Sequence, residues 1–256
     1  MEMKTGICAL MMAAPIMQSM MQSIAAAPEP RAAGIARETM QAMGGEAGWK
    51  RARYVRFDFM VSTHGQVRIA QSHLWDRQTG RYRLEDKSVK ESTGVVLFNV
   101  RDRQGTAYLK GKKLEGTEAA AAVKGGYRTY RGDIDWLAMP FLWLTPEYHL
   151  KYEGEKSVKG EACDVLDVTV DEPAGAPPVH YKTYVSKKSH LIAYWSVGVE
   201  PALWEWRYAT VDGIKLANDH INDERQAGVS MGNVKLLDKV DEAFLTDPGH
   251  KLEQLK

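Results

Sequence analysis

Charge of one sign is what this chain most plainly lacks: across 256 residues, 34 Lys and Arg stand against 33 Asp and Glu, a formal net charge of +1. Nucleic-acid binding rests on clustered excess base that neutralises phosphate, and this balance gives no such footprint. Cysteine is scarce too, with only Cys8 and Cys163, which leaves no disulfide framework and no thiolate zinc cluster. Seven histidines occur, none in the His-Glu-x-x-His spacing of a helical zinc site, and no phosphate loop or dinucleotide fingerprint is spelled anywhere. No metal and no cofactor are therefore expected, and an enzyme is not the favoured class. Disorder is excluded by a 44% share of hydrophobic residues.

The uncharged apolar run that does occur lies at the start. Seven of the 12 methionines precede Pro28, and Lys4 is followed by a charge-free stretch from Gly6 to Ala27 ending Ser23-Ile24-Ala25-Ala26-Ala27. That is the basic region, apolar core and small-residue cut site of a secretory signal peptide. Cleavage after Ala25 is the expectation: residues 1–25 as signal peptide, 26–256 as one domain, and a periplasmic or secreted destination with no stable membrane anchor. Cys8 would leave with the leader, so the mature chain keeps a single thiol, and its core must hold it together.

After the leader, Ala32, Ile35, Ala36, Met40 and Met43 recur at helical spacing up to Gly44-Gly45. The period then changes to two. Val55, Phe57, Phe59 and Val61 share one strand face, and twelve strands are expected, over 50–63, 66–77, 81–86, 93–102, 106–110, 148–156, 161–171, 179–186, 191–197, 203–211, 215–223 and 229–239. Turn signals such as Thr63-His64-Gly65 and Asp212-Gly213 separate them. Between the two runs of strands, Thr117 to Lys124 favours helix, Gly125-Gly126 interrupts it, and an apolar stretch runs on to Trp143 with a break at Pro140. A mainly β (α+β) fold follows: a curled antiparallel sheet of about 11–12 strands, a half-open barrel with an N-terminal helix and a central helical plug.

Several phrases carry a resemblance. His73-Leu74-Trp75-Asp76-Arg77-Gln78-Thr79-Gly80-Arg81-Tyr82-Arg83, Trp136-Leu137-Ala138-Met139-Pro140, Tyr152-Glu153-Gly154 and Val211-Asp212-Gly213-Ile214-Lys215-Leu216 follow one another in an order that resembles the LolA/LolB-like superfamily of periplasmic lipoprotein carriers, in a less characterised branch. The resemblance implies a half-open barrel plugged by helices, whose apolar interior holds acyl chains. Its implied partners are lipid or lipoprotein acyl chains and envelope transport components. The LolB-type lipidated cysteine has no counterpart at the expected mature start.

Under that reading the apolar cavity candidates are Val55, Phe57, Phe59, Val61, Trp75, Trp136, Leu137, Met139, Phe141, Trp143, Leu166, Val168, Trp195, Trp204 and Trp206. The competing functions are an exported enzyme of unfamiliar chemistry around His73, Asp76, Asp219, His220 or Ser230, and an envelope interaction protein whose concave face is filled by its own side chains. Gly228-Val229-Ser230-Met231-Gly232 spells a nucleophile elbow, but Asn233 to Leu237 continue as strand rather than helix. The stretch Asp219 to Glu224 and the arginines Arg51, Arg53, Arg56, Arg81 and Arg83 are expected on solvated faces.

Overall fold

A computed structural model describes residues 29–88, 93–172, 177–198 and 202–255; the leader, including Cys8 and the expected cleavage site, lies outside them. Thirteen strands form one antiparallel sheet: β1 (Tyr54–Thr63), β2 (Gln66–Asp76), β3 (Arg81–Asp86), β4 (Gly94–Asn99), β5 (Gly105–Leu109), β6 (Lys112–Lys113), β7 (Tyr148–Val158), β8 (Glu161–Val170), β9 (Val179–Ser186), β10 (Ile192–Val197), β11 (Trp204–Val211), β12 (Ile214–Asn222) and β13 (Ala227–Leu237). Their spatial order is β6-β5-β4-β3-β2-β1-β13-β12-β11-β10-β9-β8-β7. Two meanders thus meet where β1 pairs with β13 (Val61 opposite Val229), and the sheet stays open between β6 and β7. Twelve of these strands fall where the alternation places them; two-residue β6 is too short to show a period.

Four hairpins turn on residue pairs with both φ values positive: His64-Gly65, Lys110-Gly111, Lys159-Gly160 and Asp212-Gly213. That backbone matches the twist of the strands it joins, and glycine at the second position takes it without a Cβ clash. Register shifts at Arg56/Asp58, Val61/Ser62, Tyr152/Glu155 and Arg207/Tyr208 add local twist along the long strands. The curl that results is what lets a single helix link the two edges. Laid flat, thirteen strands would span about 58 Å at about 4.8 Å per spacing. The helix α3 (Gly116–Ala138) that leaves β6 and leads to β7 has 23 residues, about 35 Å at 1.5 Å each.

Two helices precede the sheet, α1 (Pro30–Ala42) and α2 (Gly45–Arg51). Pro30 pre-sets the first helical φ of α1, which buries Ala32, Ile35, Ala36 and Met40. The double glycine breaks the helix for less than a turn: Gly44 and Gly45 both have positive φ, +115 and +81, and helix resumes at Gly45 instead of giving way to strand at Lys50. A Cβ on Gly44 would stand 2.6 Å from the Gly213 carbonyl oxygen, so only glycine lets this turn lie against the β11–β12 hairpin.

Gly125-Gly126 does not interrupt α3. Gly126 is buried, and an added Cβ there would lie 3.2 Å from Val96 Cγ1 and 3.4 Å from Phe98, so the glycine serves close approach of helix to sheet rather than helix breaking. Pro140 does end the helix, in a 3-10 turn over Met139–Phe141.

The concave face holds two apolar clusters, one around Phe57, Phe59, Tyr82, Ile134 and Leu216, the other around Met139, Trp143, Leu166, Trp195 and Trp206. The convex face is covered in part by the C-terminal segment, where α4 (Ala243–Thr246) brings Phe244 and Leu245 against Tyr54 and Leu74. The expectation for two of the arginines is overturned. Arg56 and Arg83 are 2% and 0% exposed: Arg56 pairs with Asp58 at 2.7 Å, and Arg83 pairs with Glu85 at 2.8 Å while donating to the carbonyls of Phe244, Asp247 and Pro248. Each is buried beside a carboxylate partner, which offsets part of the cost of covering a charge. Cys163 is also buried, which pushes its thiol up to about 11 and keeps it unreactive.

Candidate functional site

The C-terminal half of α3 enters the concave face between the two clusters. Val123, Gly126, Tyr130, Ile134 and Leu137 are buried at close to helical spacing, and Trp136 packs against both clusters. The Trp136 ring stands edge-on to Trp195 at 4.5 Å, to Trp204 at 5.0 Å and to His220 at 4.9 Å. Trp195 in turn stacks on Tyr181 at 4.8 Å and meets Trp206 edge-on at 5.0 Å.

Pro140 explains how the plug is tied to β12. A helix carbonyl accepts from the amide four residues on, and for Trp136 that position is Pro140, which has no N–H. The freed carbonyl oxygen accepts a 2.7 Å hydrogen bond from His220 Nε2. With the proton on Nε2, Nδ1 is left buried without a hydrogen-bond partner, and burial lowers the imidazole pKa to about 3. His220 was expected on a solvated stretch; it is 0% exposed because its side of β12 faces the plug.

Two acids flank Ile134, and because neighbouring helix residues two apart point to nearly opposite sides, they reach different halves of the sheet. Asp133 Oδ2 faces His73 Nε2 on β2 at 3.3 Å, without hydrogen-bond alignment. Burial raises the Asp133 pKa against the opposing pull of His73. His73 stacks on Phe57 at 4.3 Å and meets the Tyr82 hydroxyl at 2.8 Å. Asp135 accepts from the hydroxyl of Tyr148 on β7 and, at 3.0 Å, from that of Tyr181 on β9. Burial pushes its carboxyl up to about 6, opposed by Arg131 and by the two hydroxyl donors.

All the sequence candidates lie at these two clusters. Val55, Phe57, Phe59, Trp75, Leu137 and Phe141 belong to the first, with Val61 packed on it; Met139, Trp143, Leu166, Val168, Trp195 and Trp206 belong to the second, and Trp136 and Trp204 bridge both. Most are fully covered by protein; Trp75 and Phe141 also line an open cavity of about 720 Å³ beside α2 and α3. The residues proposed for an enzyme do not converge. His73 and His220 face the concave side, whereas Ser230, flanked on β13 by the inward Val229 and Met231, takes the other face with Asp219 opposite it. Asp76 is tied to Arg53 at 2.9 Å and Arg81 at 3.2 Å, which holds its carboxyl well below the usual range. Among the described residues no group of three or more His, Cys, Asp or Glu is placed to hold a metal ion, and no helix is long and apolar enough to cross a membrane.

An open antiparallel half-barrel with helices laid into its concave face is the fold that the order of phrases along the sequence leads us to expect. No family model and no curated protein matches the chain. Among solved structures it is similar to a DUF1329 family protein from Desulfovibrio piger (11% identity over 84% of this chain and 96% of the other, TM-score 0.48). It is also similar to a putative outer membrane lipoprotein-sorting protein domain from Vibrio parahaemolyticus (10%, 84% and 97%, TM-score 0.48). A third is a LolA superfamily protein from Nitrosomonas europaea (15%, 80% and 97%, TM-score 0.35).

Proposed function

We propose that residues 26–256 form an exported, non-enzymatic binding protein of the cell envelope that takes up acyl chains or a similar apolar ligand on the concave face, with α3 as the plug that yields to it. It would act as a carrier or sensor, exchanging lipid or lipoprotein chains with envelope transport components. One observation carries this reading: the surface between α3 and the sheet is rich in buried polar atoms that have no hydrogen-bond partner among the described residues. They include His73 Nε2, Asp133 Oδ2, Arg131 Nη2 and His220 Nδ1, together with the indole nitrogens of Trp75, Trp143, Trp195 and Trp206.

A permanent core satisfies such groups, since each orphan costs about 1–3 kcal/mol. Concentrated at one interface, they make the plugged state less stable than an apolar core of the same area, so the helix is held weakly enough to be displaced. The side chains that α3 covers are large and apolar, and an acyl chain could replace it against them.

The complete burial of Phe57, Leu137, Trp143 and Trp195 favours a second reading, a concave face permanently filled by its own residues. Two measurements separate the readings: mass spectrometry of an organic extract of protein purified from its native host, and titration with an apolar fluorescent probe. Bound lipid and saturable probe binding are expected. A clean extract together with no probe binding would establish the filled interior instead.

A further inference from the structure

The open cavity of about 720 Å³ is lined by Lys50, Arg77, Arg101, Arg103 and Arg131, and also by Glu46, Glu147, Asp171 and Glu172. Lys50 is neutralised by Glu46 at 2.6 Å, and Asp171 faces His149 at 2.9 Å. The four arginines differ from the well-covered arginines elsewhere. Arg56 and Arg83 each have a carboxylate partner, whereas among the described residues none of the cavity arginines has an ion pair.

Arg77 is half-buried. Its Nη1 donates to the carbonyls of Trp49 and Ala52, its guanidinium lies 4.1 Å over the Trp49 ring and 5.7 Å from that of Trp75, and its Nε is buried with no partner. Burial lowers its pKa to about 10, so it remains charged at neutral pH. Arg103 stacks on Tyr127 at 4.8 Å, Arg101 is tied only to the Gln78 carbonyl, and Arg131 keeps a buried Nη2 unpartnered. Carbonyl and aromatic contacts orient these cations but do not neutralise them. Glu147 and Glu172 flank Tyr148 and Asp171 on the lining, which leaves Arg77, Arg101 and Arg103, near the indoles of Trp49 and Trp75, as the cationic end.

We propose that this cavity binds the anionic headgroup, a phosphate or carboxylate, of an amphiphile whose chain passes Trp75 and Phe141 onto the concave face. This assignment rests on the apolar-ligand reading above and adds the headgroup to it. Arginine suits the task because its planar fork offers paired donors to either anion.

The test uses the full mature chain and four probes below their micellar concentrations: dodecyl phosphate, dodecyltrimethylammonium, dodecanol and inorganic phosphate, followed by calorimetry or by Trp fluorescence. Dodecyl phosphate is expected to bind at least about tenfold more tightly than the cationic or neutral chain. Arg77→Gln should remove that advantage, so that the variant binds dodecyl phosphate no more tightly than it binds dodecanol. Arg103→Gln, at an exposed position, should reduce the advantage severalfold. Equal affinities for the three chains would overturn the headgroup site and leave the apolar reading standing. Inorganic phosphate binding as tightly as dodecyl phosphate would overturn the amphiphile in favour of a free anion, and failure of every chain to bind would sink both.

Discussion

Asp135→Asn isolates the electrostatic tie between α3 and the β7–β9 half of the sheet. Asparagine keeps the shape of the carboxylate and can still accept from the Tyr181 hydroxyl while its amide nitrogen donates to the oxygen of Tyr148. What it removes is the titration. In the folded chain Asp135 holds its proton up to about pH 6, whereas an unfolded carboxyl releases it near pH 3.9. Between those values the folded state binds more protons than the unfolded one, so this group's contribution to stability is present at low pH and is lost as pH rises through 6. Integrating from pH 5 to pH 8 gives a loss on the order of 1 kcal/mol in the wild type that the variant does not suffer. Urea unfolding of both proteins across that range measures it directly, because His220 and every other titrating group cancel in the difference. The variant should gain on the order of 1 kcal/mol relative to the wild type on going from pH 5 to pH 8. Parallel stability profiles would refute the claim that Asp135 is a buried, proton-holding carboxyl.

Other outcomes follow from the same contacts. His220→Leu leaves the Trp136 carbonyl without its donor and should cost about 1–3 kcal/mol in urea unfolding. Gly126→Leu sets a branched side chain against Val96 and Phe98; it should lower stability by about 1–3 kcal/mol and, by loosening the plug, tighten apolar-probe binding. Gly44→Ala forces a Cβ toward the Gly213 carbonyl at a φ of +115, and a loss of about 1–3 kcal/mol is expected by thermal melting.

The sheet was legible because its strands alternate and its hairpins carry His-Gly and Asp-Gly turns. Val55, Phe57, Phe59 and Val61 on β1 needed nothing beyond period two. The continuity of α3 was not legible. Gly125-Gly126 reads locally as a breaker, and only the approach of Val96 and Phe98 from β4 shows why glycine stands there. The two histidines were hidden for a related reason: His220 sits in a charge-rich stretch whose composition says solvent, and its burial depends on a helix more than eighty residues away. Two local signals did exist. Pro140 lies four residues after Trp136 and so frees its carbonyl, and Asp133 and Asp135 interrupt a segment otherwise apolar enough for a core. The arginines of β1 and β3 misled because Arg56 and Arg83 are buried beside carboxylates of their own strands, Asp58 and Glu85, and Arg83 also donates to carbonyls of α4 and the residues after it, which no strand pattern announces.

The account turns on α3 leaving the concave face when an apolar ligand enters. Hydrogen–deuterium exchange of the amides from Tyr127 to Ala138, with and without saturating palmitate, reads that step most directly. Faster exchange of this segment in the palmitate-bound protein is expected. Bound palmitate with unchanged or slower exchange there would contradict a plug that yields.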